Sequence, residues 1–195
     1  MVLAGADGAV LAKTTDHKPS DSAENTRIQA EQGQVYSGRV GGVLAVSRAF
    51  GDFSLKPFKD FKNQAEGRWY QVGIEPTITR CKLPAKGYLI LACDGLWDVI
   101  TSEDAATFTA RAGAEGMSPE EIATELLSAA YTGNITESNR TRGLKITPTV
   151  QTPFGFQQTS SDNISVQVID IAKLREAGVL RPVSEGASAG AGIGS

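Results

Sequence analysis

The sequence predicts an α+β fold in which short strands are mixed with at least three helices. Apolar, strand-like segments open the chain at residues 2–6 and recur at residues 88–93 and 163–171. Between the last two strands, residues 102–111 and 119–131 carry helix-start signals. The 195 residues are 41% hydrophobic and 21% charged, with a formal net charge of -3, which is typical of one soluble globular domain.

The N-terminal part of the chain predicts a hairpin, a helix and two short strands. An Asp-Gly turn separates two apolar stretches near the start, and Ser20 or Asp21 can cap the helix. These elements are predicted over residues 2–12, 20–31, 34–37 and 43–47. The next segment, residues 53–74, mixes aromatic and lysine side chains without periodicity, so it predicts a long surface flap.

The C-terminal part predicts further strands, separated by two capped helices. Residues 77–81 alternate in polarity, and residues 88–93 are continuously apolar, as in a buried strand. Ser102 and Ser118 are the predicted N-caps of the two helices. Residues 132–160 are rich in Thr, Gly, Asn and Pro and predict an irregular insertion.

The domain organisation follows from this pattern. We expect one folded domain over residues 1–175 and a flexible tail over residues 176–195, because a Gly/Ala/Ser-rich segment buries too little apolar surface to offset the entropy of ordering it. The apolar start of the chain is typical of a domain that lacks its N-terminal part. We therefore expect the chain to be a partial domain.

Composition and motif spacing argue against several functions. The near-neutral charge shows no basic patch for nucleic acid, and no stretch is apolar enough to span a membrane. A thiol-based phosphatase needs an arginine six positions after its cysteine, but Val99 stands there for Cys93 and Gly87 for Cys81. His17 is the only histidine, which leaves a hydrolase triad without support.

Two carboxylates at strand ends form the strongest chemical signal in the sequence. Asp94 follows the apolar strand 88–93, and Asp162 precedes the apolar strand 163–171. If these strands are antiparallel neighbours, the two carboxylates meet at one end of the sheet. Their mutual repulsion would favour a hard divalent cation such as Mg²⁺ or Mn²⁺. The alternative, left open by the pattern alone, is that both are ordinary turn residues beside strands.

Five motifs in order give the chain a strong resemblance to the metal-dependent protein serine/threonine phosphatases of type 2C. They are residues 16–19 (DHKP), 42–52 (GVLAVSRAFGD), 75–76 (EP), 92–98 (ACDGLWD) and 161–166 (SDNISV). The match covers roughly residues 2–171. The resemblance implies a sandwich of two antiparallel β-sheets flanked by helices, with two Mg²⁺ or Mn²⁺ ions at one end and a third in some members.

The resemblance also implies roles for individual residues. Asp94 and Asp162 correspond to two carboxylates of the family's core metal site, and Asp98 corresponds to a ligand of the weaker third metal. A water that bridges two metals is then the nucleophile that hydrolyses phosphoserine or phosphothreonine. The flap and the segment before it supply candidates for substrate selection, namely Arg48, Asp52, Lys56 and Lys59.

Departures from the family pattern limit what we expect of this chain. The family's N-terminal third, with its Asp-Gly-His-Gly and Gly-Asp-Ser-Arg motifs, is absent, and Ser161 stands where relatives often carry Arg. We therefore expect the C-terminal two-thirds of a catalytic domain, with weak turnover or none. The alternative hypothesis is a non-catalytic, phosphatase-like interaction protein.

Partners and location follow from the same resemblance and composition. We expect a phosphorylated protein as substrate, no nucleic-acid or membrane partner, and a monomer. The two cysteines are too few for a disulfide framework, which favours a cytoplasmic location, with the nucleus as an alternative.

Overall fold

A computed structural model describes residues 1–56, 71–147, 160 and 162–180 of the chain. The central part of the predicted flap, most of the segment between residues 148 and 161, and the tail beyond residue 180 lie outside the described residues, and with them Lys59 and Ser161. The chain divides into two compact units, one formed by Met1–Thr14 together with Cys81–Ser195 and the other by Thr15–Arg80.

The larger unit contains four strands and five helices within its described residues. The strands are β1 (Val2–Gly5), β2 (Val10–Lys13), β5 (Gly87–Ala92) and β6 (Val166–Asp170). The helices are α2 (Asp94–Trp97), α3 (Ser102–Ala114), α4 (Pro119–Thr132), α5 (Glu137–Thr141) and α6 (Ile171–Glu176). This arrangement confirms the predicted α+β class.

The four strands form one antiparallel sheet in the order β2-β1-β5-β6. Helices α3 and α4 pack against this sheet, because each has an apolar face of buried side chains. The core lies between the helices and the sheet and includes Ile90, Phe108, Ile122, Leu126 and Val168, all buried. Ile90 and Val168 are directly paired across β5 and β6, so the core runs through the centre of that pair.

Helix capping explains where the two long helices begin. Helix α4 has a complete capping box: the Ser118 side chain accepts from the backbone N–H of Glu121, and the Glu121 carboxylate accepts from the N–H of Ser118. The cap predicted at Ser118 is therefore present. The cap predicted at Ser102 is wrong by one residue, since the side chain of Thr101 accepts from the N–H of Asp104 and Ser102 is already helical.

The smaller unit is built on one helix and one short hairpin. Helix α1 (Ser22–Ala30) begins after Asp21, as predicted. The hairpin consists of β3 (Val35–Tyr36) and β4 (Arg39–Val40), and a 3₁₀ turn follows at Phe53–Leu55. Ile28, Val40 and Val72 are fully buried and form its small core.

Three expectations about secondary structure are wrong. Residues 43–47 form no strand and make only an isolated bridge between Val40 and Leu44, and residues 77–81 form no strand either. The described part of the predicted irregular insertion contains helix α5, and Leu144 after it is fully buried in the core. Alternating polarity failed to predict structure at residues 77–81 because that segment pairs with no strand among the described residues, and the pairing of residues 43–47 with β4 does not extend beyond the one bridge.

None of the helices in the described ranges combines the length and the apolar composition needed to cross a bilayer.

The capping box predicts a measurable contribution to stability. We expect Ser118→Ala to lower the free energy of unfolding by about 1 kcal/mol, because the helix loses one side-chain acceptor for an orphan N–H. Ser128→Ala, at an exposed position of the same helix, is the matched control and should change it far less. Urea unfolding followed by circular dichroism measures both, and equal midpoints for the two variants would contradict the role of the cap.

Candidate active site

The pairing of β5 with β6 brings the two predicted metal ligands to one end of the sheet. Ala92, the last residue of β5, pairs with Val166, the first residue of β6. The pairing extends one residue further, where the N–H of Cys93 donates to the carbonyl of Ser165 at 3.2 Å. Asp94 follows immediately, and Asp162 precedes β6 at the same end. The antiparallel arrangement predicted for these strands is therefore present.

The two segments that carry these aspartates are in direct contact beyond the strands. The Cys93 thiol donates to the carbonyl of Asn163 at 3.1 Å and accepts from the N–H of Ser165 at 3.2 Å. Gly95 lies so close to Asn163 that a Cβ atom there would clash with the Asn163 carbonyl oxygen. Cys93 is thus engaged structurally, and the glycine of the Asp-Gly pair is required by close backbone approach. The sequence left a turn at this pair open as an alternative, and no local pattern indicated the contact with Asn163.

A single helical turn orients Asp94 and Asp98. Helix α2 begins at Asp94, and the N–H of Asp98 donates to the Asp94 carbonyl at 2.8 Å, so the two carboxylates are one turn apart on one face. Two neighbours fix this turn: Leu96 is fully buried, and the Trp97 indole N–H donates to the carbonyl of Ala92 at 3.0 Å.

The three aspartates are exposed to solvent. The Asp94 carboxylate accepts from the N–H of Gly95 at 3.0 Å, and the Asp162 carboxylate accepts from the N–H of Asn163 at 2.7 Å. In the described part of the chain, none of the ion pairs involves Asp94, Asp98 or Asp162. Within those residues, the three carboxylates keep free oxygen lone pairs and are not neutralised by a basic side chain.

The donor set fits a divalent cation in kind. Carboxylate oxygens with access to water suit Mg²⁺ or Mn²⁺, which retain several waters when bound to proteins. However, the described residues contain no group of three or more His, Cys, Asp or Glu side chains arranged to hold a metal ion. Asp94 and Asp162 can thus supply part of a coordination sphere but not a complete one.

The smaller unit contains a buried ion cluster around Glu24. The Glu24 carboxylate accepts from Arg27 Nη2 at 2.9 Å and from both Nε and Nη2 of Arg48, with 3.1 Å to Nε. His17 Nδ1 lies 3.8 Å from the same carboxylate. The Glu24 side chain is only 5% exposed, so this charge depends on its basic partners for compensation.

The surroundings of Glu24 lower the pKa of its carboxyl strongly. Hydrogen bonds from Arg48 lower the pKa of the Glu24 carboxyl to about 2, while burial acts in the opposite direction and Ser47 and Arg27 lower it further. The same contact raises the pKa of Arg48. Our sequence reasoning did not single out Glu24, because one acidic residue on a weakly amphipathic helix resembles an ordinary surface residue.

The predicted substrate-selection residues have different environments. Arg48 is held by Glu24, and its remaining nitrogen donates to the Glu75 carbonyl at 3.1 Å. Lys56 is buried, and its ammonium donates to the carbonyls of Ala49 and Gly51 at 2.6 and 2.5 Å. Asp52 is exposed in a left-handed conformation with φ 49°. The Lys56 ammonium therefore fixes the loop around Gly51.

Comparison with known sequences decides the family. The family described as Protein phosphatase 2C matches residues 1–138 of the chain. The chain belongs to this family. The resemblance read from the five motifs is thereby confirmed.

Individual phosphatases 2C agree with this assignment. The chain is 33% identical to Protein phosphatase 2C 3 of Arabidopsis thaliana over an alignment of 195 positions, which covers 87% of this chain and 40% of that protein. It is 37% identical over 123 residues to Protein phosphatase 2C homolog 3 of Schizosaccharomyces pombe, covering 63% and 29% respectively. The chain thus spans well under half the length of these curated relatives.

A solved structure is also similar to this phosphatase 2C chain. It is the crystal structure of a phosphatase from a pathogenic strain of Toxoplasma gondii, with a TM-score of 0.62 and 27% sequence identity. The similarity covers 86% of this chain and 43% of the other. It extends the family assignment from the sequence to the fold.

The Glu24 cluster predicts a pH dependence of stability. Because the folded pKa lies near 2 and the ordinary value is 4.5, Glu24 stabilises the fold above about pH 5, and this stabilisation is lost as the pH falls towards 2. We expect Glu24→Gln to lower the free energy of unfolding at pH 7 by on the order of 3 kcal/mol. The difference in the free energy of unfolding between the variant and the native chain should narrow as the pH falls from 5 to 2.

Urea unfolding at a series of pH values measures this gap. Glu31→Gln, at the end of the same helix α1, is the control: it has no ion-pair partner among the described residues, and its difference from the native chain should be small. A Glu24→Gln gap that stays constant down to pH 2 would rule out ion pairing as its source.

Proposed function

We propose that this chain contributes to the metal site of a Mg²⁺- or Mn²⁺-dependent protein serine/threonine phosphatase that acts on phosphoserine and phosphothreonine in proteins. The observation that carries the proposal is the position of Asp94 and Asp162. They are exposed carboxylates at one end of the β5–β6 pair, with free oxygen lone pairs and no ion-pair partner in the described part of the chain. Membership of the phosphatase 2C family supports it.

In this proposal three aspartates of the chain are the metal ligands, and neighbouring residues hold them in place. Asp94 and Asp162 would supply oxygen ligands for the core metals, and Asp98 would supply one for a third metal. Bound divalent ions supply charge neutralisation on the phosphoryl group and a lowered pKa of bound water. The contacts of Cys93, Gly95 and Trp97 hold the backbone beside Asp94 and Asp98 and join it to Asn163, next to Asp162, which supports ligand positions that would be set before a cation binds.

The number of ligands limits the activity that we propose for the chain by itself. A hexacoordinate Mg²⁺ or Mn²⁺ held by two carboxylates leaves about four positions to water. Such a cation binds weakly and is poorly fixed. We therefore propose weak turnover or none for these 195 residues alone.

Metal binding by the aspartates can be tested without any activity. We expect Asp162→Asn and Asp94→Asn each to weaken Mn²⁺ binding by about tenfold or more, because each removes one anionic ligand. Titration with Mn²⁺ followed by electron paramagnetic resonance measures the free ion directly.

The matched control is Asp7→Asn. Asp7 lies in the β1–β2 turn, at the opposite end of the sheet, and its carboxylate accepts from the N–H of Ala9, a hydrogen bond that an Asn side chain can keep. Its Mn²⁺ affinity should equal that of the native chain. An Asp162→Asn variant that binds Mn²⁺ as the native chain does would overturn the proposed site.

Turnover needs a separate measurement. We expect the purified chain to release little or no phosphate from a phosphothreonine peptide in millimolar Mn²⁺. Addition of a chelator should remove whatever release there is. Robust, chelator-sensitive release would contradict the proposed weak turnover while supporting the proposed reaction.

A further inference from the structure

Thr77 occupies a position in the smaller unit that the proposed function does not use. It belongs to an exposed segment, residues 74–80, that has no regular secondary structure. Its hydroxyl oxygen accepts from Arg48 Nη1 at 3.3 Å and lies 2.9 Å from His17 Nε2. An accessible hydroxyl therefore stands in hydrogen-bond contact with two basic side chains.

The charged side chains around the Thr77 hydroxyl determine which group could bind there. Two basic groups, Arg27 and Arg48, face two acidic groups, Glu24 and Glu75, so the cluster is close to neutral before His17 is counted. The His17 side chain is 28% exposed, and its imidazole stands beside Thr77 as a further hydrogen-bonding group.

We propose that Thr77 is a phosphorylation site whose phosphate is bound by Arg48 and His17. A protein kinase with ATP supplies the phosphoryl group: a bond forms between Thr77 Oγ1 and the γ-phosphorus, and the bond from that phosphorus to the β–γ bridging oxygen breaks. ADP leaves, and the hydroxyl proton passes to a base on the kinase. The exposed segment, which has no regular secondary structure, gives a kinase access to the hydroxyl.

The product differs from the unmodified side chain in charge and in hydrogen bonding. A phosphothreonine carries close to two negative charges at pH 7 and acts as a strong acceptor. Arg48 already donates to this position, and an N–H of the His17 imidazole would donate to a second phosphate oxygen. The modified segment is thereby tied to His17 and to the Glu24 cluster by charge-assisted hydrogen bonds.

The second ionisation of the phosphate reports this environment directly. The full chain can be produced with phosphothreonine at position 77 by expansion of the genetic code and titrated by ³¹P NMR. The matched control carries phosphothreonine at position 79, which is exposed in the same segment. We expect the second pKa at position 77 to lie about 0.5 unit or more below that at position 79, because nearby cations favour the dianion.

A variant separates the two basic partners. His17→Gln keeps a hydrogen-bonding side chain but removes the imidazole, and it leaves Glu24 with both of its arginine partners. It should raise the second pKa at position 77 towards the control value and leave position 79 unchanged. Equal pKa values at positions 77 and 79 in the native background would overturn phosphate binding by this cluster.

Modification in the cell is tested on the protein isolated from its own source in the presence of phosphatase inhibitors. Trypsin releases residues 69–80 as one peptide, which contains Thr77 and Thr79 and no other threonine or serine. Fragmentation mass spectrometry then assigns the phosphate to one of the two. Phosphate on Thr77 is the expected result, whereas a peptide that is always unmodified, or modified only at Thr79, would overturn the proposal.

Discussion

The antiparallel pairing of β5 with β6 is the constraint on which the larger unit depends. β5 lies between β1 and β6, so its hydrogen bonds hold together segments more than 70 residues apart in sequence. The same pairing places Ile90 beside Val168 in the core and carries Asp94 and Asp162 to one end of the sheet. A slip of one residue would turn the apolar side chains of β6 away from the helices and move Asp162 along the sheet.

The smaller unit contains a buried charge that links segments distant in sequence. Among its described residues, three apolar side chains form a fully buried core, and Glu24 connects α1 with Arg48 and His17. Loss of both arginines would leave a buried carboxylate without compensation, which costs more than the ion pairs themselves contribute. Arg48 therefore helps to hold the unit together through its contacts with Glu24. Lys56 holds the loop around Gly51 by donating to two backbone carbonyls.

Elements with local signals could be predicted from the sequence, and those that depend on distant contacts could not. The capping box at Ser118 and the apolar strand before Asp94 are local patterns, and both are present. The strand predicted at residues 77–81 alternated correctly but has no partner strand in the described ranges. The close approach of Gly95 to Asn163 and the burial of Glu24 each depend on residues far along the chain, so no local pattern could reveal them.

The contrast between the two groups of carboxylates explains which of them is free to bind a cation. Glu24 is buried and already holds two arginines, so a metal ion would have to displace both from a site closed to water. Asp94 and Asp162 are exposed and, among the described residues, their carboxylates accept only from the N–H of the following residue, which leaves lone pairs for a hydrated ion. Residue type alone does not distinguish the two cases. The surroundings do: basic partners satisfy one carboxylate completely, and the sheet end leaves the other two unsatisfied.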